Sequence, residues 1–221
     1  MRKIFLIIIA LAFCYRSNAQ EIRLISTFSV SSYEHFHPNF GYGIGYDLVI
    51  QSKNKLGLTF YQSFNRTDYS YVFESDSDGK SYYRDVSPNN QRFTFSINYC
   101  FWLAGTQKSK FFIRPDIGLN CFRINETGTE KNSHETTVAY PYKNDCWENF
   151  KPGIGLSFEY QRQIISDKIL LSFSAHPELI IFSKFGLKGS NTSPILGFIN
   201  FHLMLKYNML KNKTTAQKSN L

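Results

Sequence analysis

The dominant pattern between residues 20 and 208 is the recurrence, in run after run, of large apolar side chains at every second position. The clearest run is Phe40 to Ile50, where Phe40, Tyr42, Ile44, Tyr46, Leu48 and Ile50 alternate with Gly41, Gly43, Gly45, Asp47 and Val49. A period of two is that of a β-strand, whose side chains point alternately to its two faces. A helix would mix the two sets on every face. The run therefore predicts a strand with one large apolar face and one small or polar face.

The same alternation predicts seven more strands: Ile22 to Ser31, Leu56 to Tyr61, Arg92 to Phe101, Phe111 to Asn120, Gly153 to Gln161, Leu171 to His176 and Ile195 to Asn208. About ten residues is the length that crosses a bilayer when a strand is tilted. The links alternate in length. Those around 52–55, 104–109 and 166–168 are short, and those over 32–39, 66–90, 123–150 and 181–193 are long. Short turns at one end and longer loops at the other describe an all-β fold, an eight-stranded antiparallel transmembrane β-barrel wound as an up-and-down meander over residues 20–208. An even strand number puts both termini on the periplasmic, short-turn side. Tyr46, Tyr99, Phe101, Trp102, Phe111, Tyr160 and Tyr207 fall near the short turns, and Phe40, Tyr42, Phe64 and Phe93 near the other rim, as two interfacial girdles would. Pro115 and Pro177 each remove a ladder donor, so each predicts a bulge or a strand end.

Residues 1–19 have the plan of a secretory signal peptide: Arg2 and Lys3, then the apolar stretch Ile4 to Phe13, then Ser17-Asn18-Ala19 as the cleavage site. The apolar stretch is about half of what a spanning helix needs, and no later run reaches that length. Cys14 is a poor acylation site, because Phe13 stands where a small residue is wanted. The chain is 43% hydrophobic, 17% aromatic and only 19% charged, which excludes disorder. Removing Arg2, Lys3 and Arg16 with the leader leaves 22 of the 25 basic residues against 17 acids. Much of the excess gathers in Lys206, Lys211, Lys213 and Lys218, and residues 209–221 form a polar, basic tail. A basic tail is not a basic groove, and no nucleic-acid partner is expected.

The leader, the Phe40 to Ile50 run, the Arg114-Pro115-Asp116-Ile117-Gly118-Leu119 strand and the Gly153-Ile154-Gly155-Leu156 strand together carry a resemblance. The chain resembles the outer-membrane β-barrel domain family of Gram-negative bacteria, in particular the small OmpA-like and OmpX-like barrels and, more loosely, PorT-like proteins. The resemblance implies an outer-membrane location, contact with outer-membrane lipid and lipopolysaccharide, and an extracellular or periplasmic protein partner. Members often end on an aromatic residue, whereas this chain runs past Tyr207 to Leu221.

If the small and polar parity faces inward, the lumen collects Asp47, Arg92, Arg114, Asp116, Glu159, His202 and Lys206. Eight strands enclose a space that side chains just fill, so these charges are expected to pair as a network and leave no wide pore. Ser172, Ser174, His176 and Glu178 share one strand face and are the best arrangement for hydrolysis, although alternation alone produces such a set. No catalytic residue and no cofactor is assigned. Glu74, Asp76, Asp78 and Asp85 follow a calcium-loop spacing imperfectly, and His35 and His37 flank one position beside Pro38, so no metal site is assigned on either. Cys121 and Cys146 bracket the 123–150 loop and are a candidate disulfide, with Cys100 free in the wall. The function expected is a structural or surface-interaction role without catalysis. The residues leave open a secreted lipocalin-like barrel with an apolar ligand and a lipid A-modifying barrel enzyme, and the resemblance together with the basic tail implies as a further alternative an accessory protein in secretion or assembly.

Overall fold

The first and last strands find each other. In the computed structural model β1 (Gln20–Ser31) pairs antiparallel with β10 (Ile195–Asn208) over Glu21↔Asn208 to Ser31↔Phe198, which closes a ring. The described residues are 20–31, 39–51, 54–74, 80–106, 108–132, 139–165, 168–181 and 195–209. The expected leader, His35 and His37, Asp76 and Asp78, and the tail from 210 onward lie outside them.

Between β1 and β10 the ring runs through β2 (Asn39–Gln51), β3 (Asn54–Asn65), β6 (Asn90–Gly105), β7 (Ser109–Asn132), β8 (Ala139–Ile165) and β9 (Ile169–Ile181), every neighbour antiparallel. This is the eight-stranded meander that the alternation predicts. Two further strands, β4 (Tyr69–Glu74) and β5 (Ser81–Pro88), lie in the 66–90 stretch.

That stretch, and residues 123–150, differ from the loops the sequence suggests. The β3–β6 ladder runs to Asn65↔Asn90, and the β4–β5 ladder resumes in the same register at Tyr69↔Val86. Likewise Gln91↔Arg123 of β6–β7 leads to Pro88↔Glu126 of β5–β7. Four strands of the wall therefore continue past the barrel as one sheet, β4-β5-β7-β8. From Arg123 to Asn132 this fin adds about 30 Å at the usual rise per strand residue.

Pro115 and Pro177 sit in the body of their strands. Asn98↔Asp116 is followed by Phe101↔Ile113, and Gly155↔Glu178 by Phe158↔Ala175, with no change of register at either place. The ladder skips the pairs around each proline, so the missing donor costs a local gap instead of the expected bulge or strand end. Away from the prolines, β8 carries a bulge against β7. Asn120 pairs with Lys151 but Phe122 pairs with Glu148, an extra residue that reverses the parity of β8.

That reversal settles the cysteines. Cys146 lies opposite Ile124 and packs against the inward cluster of Phe122, Ile124, Ile180, Leu196 and Phe198. Cys121 pairs with outward Phe93. The two thiols lie on opposite faces of the sheet, and Cys100, Cys121 and Cys146 are all free. The candidate Cys121–Cys146 disulfide is therefore corrected: side chains that leave a sheet in opposite directions cannot be bridged. All three thiols should alkylate in denatured, unreduced protein, and gel mobility should not change with reductant. A reductant-dependent mobility would place Cys121 on the other face.

Candidate functional site

The lumen is built from one parity of each ring strand. Asp47, Arg92, Arg114, Asp116, Glu159, His202 and Lys206 all lie inside and are buried. Inward glycines make room for them. A Cβ on Gly45 would meet the Arg23 guanidinium, one on Gly57 would meet Asp47 and Asn98, and one on Gly155 would meet His176 and Asp116. The small face of the Phe40 to Ile50 run is thus the space into which neighbouring long side chains fold.

The charges form three groups along the axis. At the short-turn end Lys55 Nζ donates to both Glu21 oxygens at 2.6 and 2.7 Å. Next, Arg114 donates to Asp47 at 2.9 and 3.1 Å and to Glu159 Oε2 at 3.0 Å, while Arg23 pairs with Asp47 at 3.0 Å and Lys206 with Glu159. Toward the loops Arg92 pairs with Glu178, which also accepts from Asn120 and Asn200 at 3.0 and 3.1 Å. Between the last two groups His176 faces Asp116 at 2.8 Å and His202 at 3.4 Å. A polar cavity of about 30 Å³ beside them has room for about one water molecule. Beyond Arg92, the Phe122–Phe198 pair, with ring centroids 6.3 Å apart, and their apolar neighbours fill the loop end. Among the described residues, these side chains pack the lumen along its length.

The structure adds members that the sequence reading left out: Glu21, Arg23, Lys55 and Tyr61. Glu21 and Arg23 alternate on β1 with Ile22 and Leu24, so phasing that strand by parity would have found them. Ser172, Ser174, His176 and Glu178 also face the lumen and are buried. Ser172 Oγ donates to Glu159 Oε1 at 2.7 Å, His176 faces Asp116 and Glu178 holds Arg92, so the set is divided among three partnerships. Of the calcium candidates, Asp85 accepts from Ser70 Oγ at 2.6 Å on the fin. Among the described residues no group of three or more His, Cys, Asp or Glu side chains is placed to hold a metal ion.

Outside, the parity is reversed in character. Leu24, Ile44, Ile117, Ile154 and Leu203 are each more than half exposed, Ile117 to 71%. Aromatic pairs mark both ends of this belt: Tyr99–Phe101 at 4.5 Å and Phe111–Tyr160 at 4.9 Å near the turns, Tyr42–Phe64 at 5.7 Å and Phe93–Trp147 at 5.9 Å near the loops.

The fin's lumen-side face is rich in tyrosine. Tyr69 stacks on Tyr71 at 6.0 Å, and the Arg84 guanidinium lies 4.0 Å from the Tyr142 ring and donates to Tyr71 Oη at 2.7 Å and, through Nε, to Glu130 at 3.0 Å. Glu126, at its base, accepts from Tyr69, Tyr142 and Asn90 at 2.7, 3.1 and 3.1 Å. Burial, then the Glu126 carboxylate, push the Tyr69 phenol above its ordinary range, so it stays protonated and keeps donating.

No protein-family model matches the chain, and no curated protein matches it. Solved structures do. The Ail attachment invasion locus protein of Yersinia pestis aligns with a TM-score of 0.47 at 9% identity, over 87% of this chain and 99% of that one. A major outer membrane protein from Thermus thermophilus aligns with a TM-score of 0.48 at 9% identity, over 86% and 99%. Neisserial surface protein A aligns with a TM-score of 0.52 at 8% identity, over 87% and 96%. The fold is that of the small outer-membrane β-barrels. In such a barrel the apolar belt is the lipid-facing wall and the charged column is its filling.

Proposed function

We propose that this chain is an outer-membrane protein with a closed lumen, its fin projecting outside the cell as a surface-interaction platform, with the start of β1 and the end of β10 on the periplasmic side. The observation that carries this reading is the inside-out distribution: charges within, large apolar residues exposed around the whole wall, and a tyrosine-rich sheet continuing beyond one rim. A lipocalin-like protein with an apolar ligand would need the opposite lumen. The start of β1 and the end of β10 lie at the short turns, where Glu21 pairs with Asn208 and Met209 N donates to Gln20 O at 2.8 Å.

The role is non-catalytic. A lipid-modifying enzyme would need its nucleophile within reach of lipid, and Ser172, Ser174 and His176 are buried behind the wall. The fin suits recognition better, since tyrosine presents large, rigid contact area at little entropic cost and Arg84 is already held by Tyr71 and Glu130.

Two measurements test the proposal together. The membrane-extracted protein should migrate faster unboiled than boiled, and protease added to whole cells should cut within the fin, near Lys80 or Lys131, leaving the barrel intact. Recovery in the soluble fraction without a heat shift would overturn the membrane reading, and a fin cut only after lysis would reverse the orientation.

A further inference from the structure

The end of the barrel with the short turns carries its own charge. In the sequence those turns bring Lys53, Lys108, Lys110, Arg162 and Lys168 against Asp167, with Lys55 neutralised inside by Glu21, whereas the 66–90 and 123–150 stretches carry acids in excess. On the wall of β7 and β8 the fold turns this excess into a shaped site. Arg162 and Lys108 are exposed and, among the described residues, make no ion pair.

The two turns are locked together. Gln163 N donates to Lys108 O at 2.9 Å, Thr106 N to Ser109 O at 2.7 Å and Ser109 N to Thr106 Oγ1 at 3.2 Å, while Gly105 takes the positive φ of 134° that the turn requires. Arg162 lies directly across the ladder from Ser109. Tyr160 Oη donates to Ser109 Oγ at 3.2 Å, which leaves the serine's own proton to donate outward. Immediately toward the belt the Phe111 and Tyr160 rings pack together, and exposed Phe158 continues the apolar surface.

We propose that this site binds the headgroup of an anionic glycerophospholipid. Arg162 takes the phosphate through its planar fork, Lys108 adds a second positive charge, and Ser109 donates the third hydrogen bond. The acyl chains lie along Phe111 and Phe158. The site rests on the outer-membrane reading, since it needs a leaflet at the turn end. Its ligand chemistry comes from the juxtaposition of unpaired cations, an outward hydroxyl and an aromatic ledge at headgroup depth.

The test titrates delipidated, detergent-folded barrel with phosphatidylglycerol, phosphatidylcholine, lipid A and inorganic phosphate, reading bound molecules by native mass spectrometry. Phosphatidylglycerol should be retained in preference to the other three. Arg162→Gln should lower its affinity about fivefold, and Arg162→Glu with Lys108→Glu by more than tenfold. The heat shift shows whether each variant has folded, and Arg162→Gln removes a charge without adding one should the double variant fail to fold. Equal retention of phosphatidylcholine, stronger retention of lipid A, binding of free phosphate alone, or an unaltered affinity in folded Arg162→Gln would each overturn the proposal. A heat-shifted barrel with any of these results removes this site and leaves the outer-membrane reading standing. A protein that is soluble and shows no shift removes both.

Discussion

Replacing Glu159 with alanine is expected to destabilise the barrel by about 3 to 5 kcal/mol, the cost of leaving buried charge without its partner. Glu159 accepts from Arg114 and Ser172 and pairs with Lys206, and all of these are buried inside the wall. Arg114 keeps Asp47 in the variant, but Lys206 loses its acid and is left with Gln161 Oε1 at 3.2 Å and the Phe112 ring, neither of which carries a charge. The measurement is the urea or temperature midpoint at which the compact, unboiled gel species disappears. The double variant Glu159→Met with Lys206→Met should recover most of the loss, because an apolar pair of similar size removes both desolvation penalties at once. A single variant within about 1 kcal/mol of the parent would mean that water reaches the column and solvates the lysine, contrary to the packed lumen described above.

Gly43→Val should be nearly as damaging, for a steric reason. A Cβ at Gly43 would lie 2.5 Å from Tyr61 Cβ and 2.8 Å from Tyr61 Cα, and would overlap Phe60 O. These are backbone atoms and the root of a buried side chain, so no flexible tip can swing aside. Overpacking of this kind costs about 3 kcal/mol, the upper part of its usual range, and two neighbouring strands would have to separate. Gly118→Ala is the internal control. It also faces the lumen, but its Cβ would meet Phe95 O and Ser96 Cβ at 3.4 Å, ordinary contact. The first variant should fold poorly into detergent or lipid and the second close to normally. Equal behaviour would show that β2 and β3 can part without loss.

The ring was legible because a membrane inverts the solvents on the two sides of a strand without altering its period. Phe40 to Ile50 alternates as strongly as any strand of a soluble sandwich, and the short turns then fix how strands follow one another. Parity also assigned Asp47, Arg114, Glu159 and Lys206 to one space, though it could not say which acid meets which base. Those partnerships depend on side-chain reach across strands: Arg114 and Asp47 are 67 positions apart and meet only because β2 and β7 face each other across the lumen.

The fin was hidden for a related reason. On the fin neither face of β7 is apolar, so Glu126-Thr127-Gly128-Thr129-Glu130-Lys131 shows no alternation and resembles a loop. Its strand conformation comes from a ladder already in register at Gln91↔Arg123. The extra residue in β8 between Glu148 and Lys151 concealed the pattern further, since it lets Trp147 and Phe150 face the same way. The cysteine pairing failed at this step, because proximity across a loop base gives no information on which face each thiol leaves.

The register that β6 and β5 keep against β7, from the barrel into the fin, has a mechanical meaning. A tether attached to the fin tip would pull along β7 and β8, parallel to the strands and across the hydrogen bonds that join them. Load of that kind is shared by many bonds at once instead of opening them one by one. The ladders of β7 with β5 and β6, and of β8 with β9, would take that load in shear and pass it into the wall. A loop in the same place would stretch before any tension reached the barrel, whereas this sheet acts as a rigid handle.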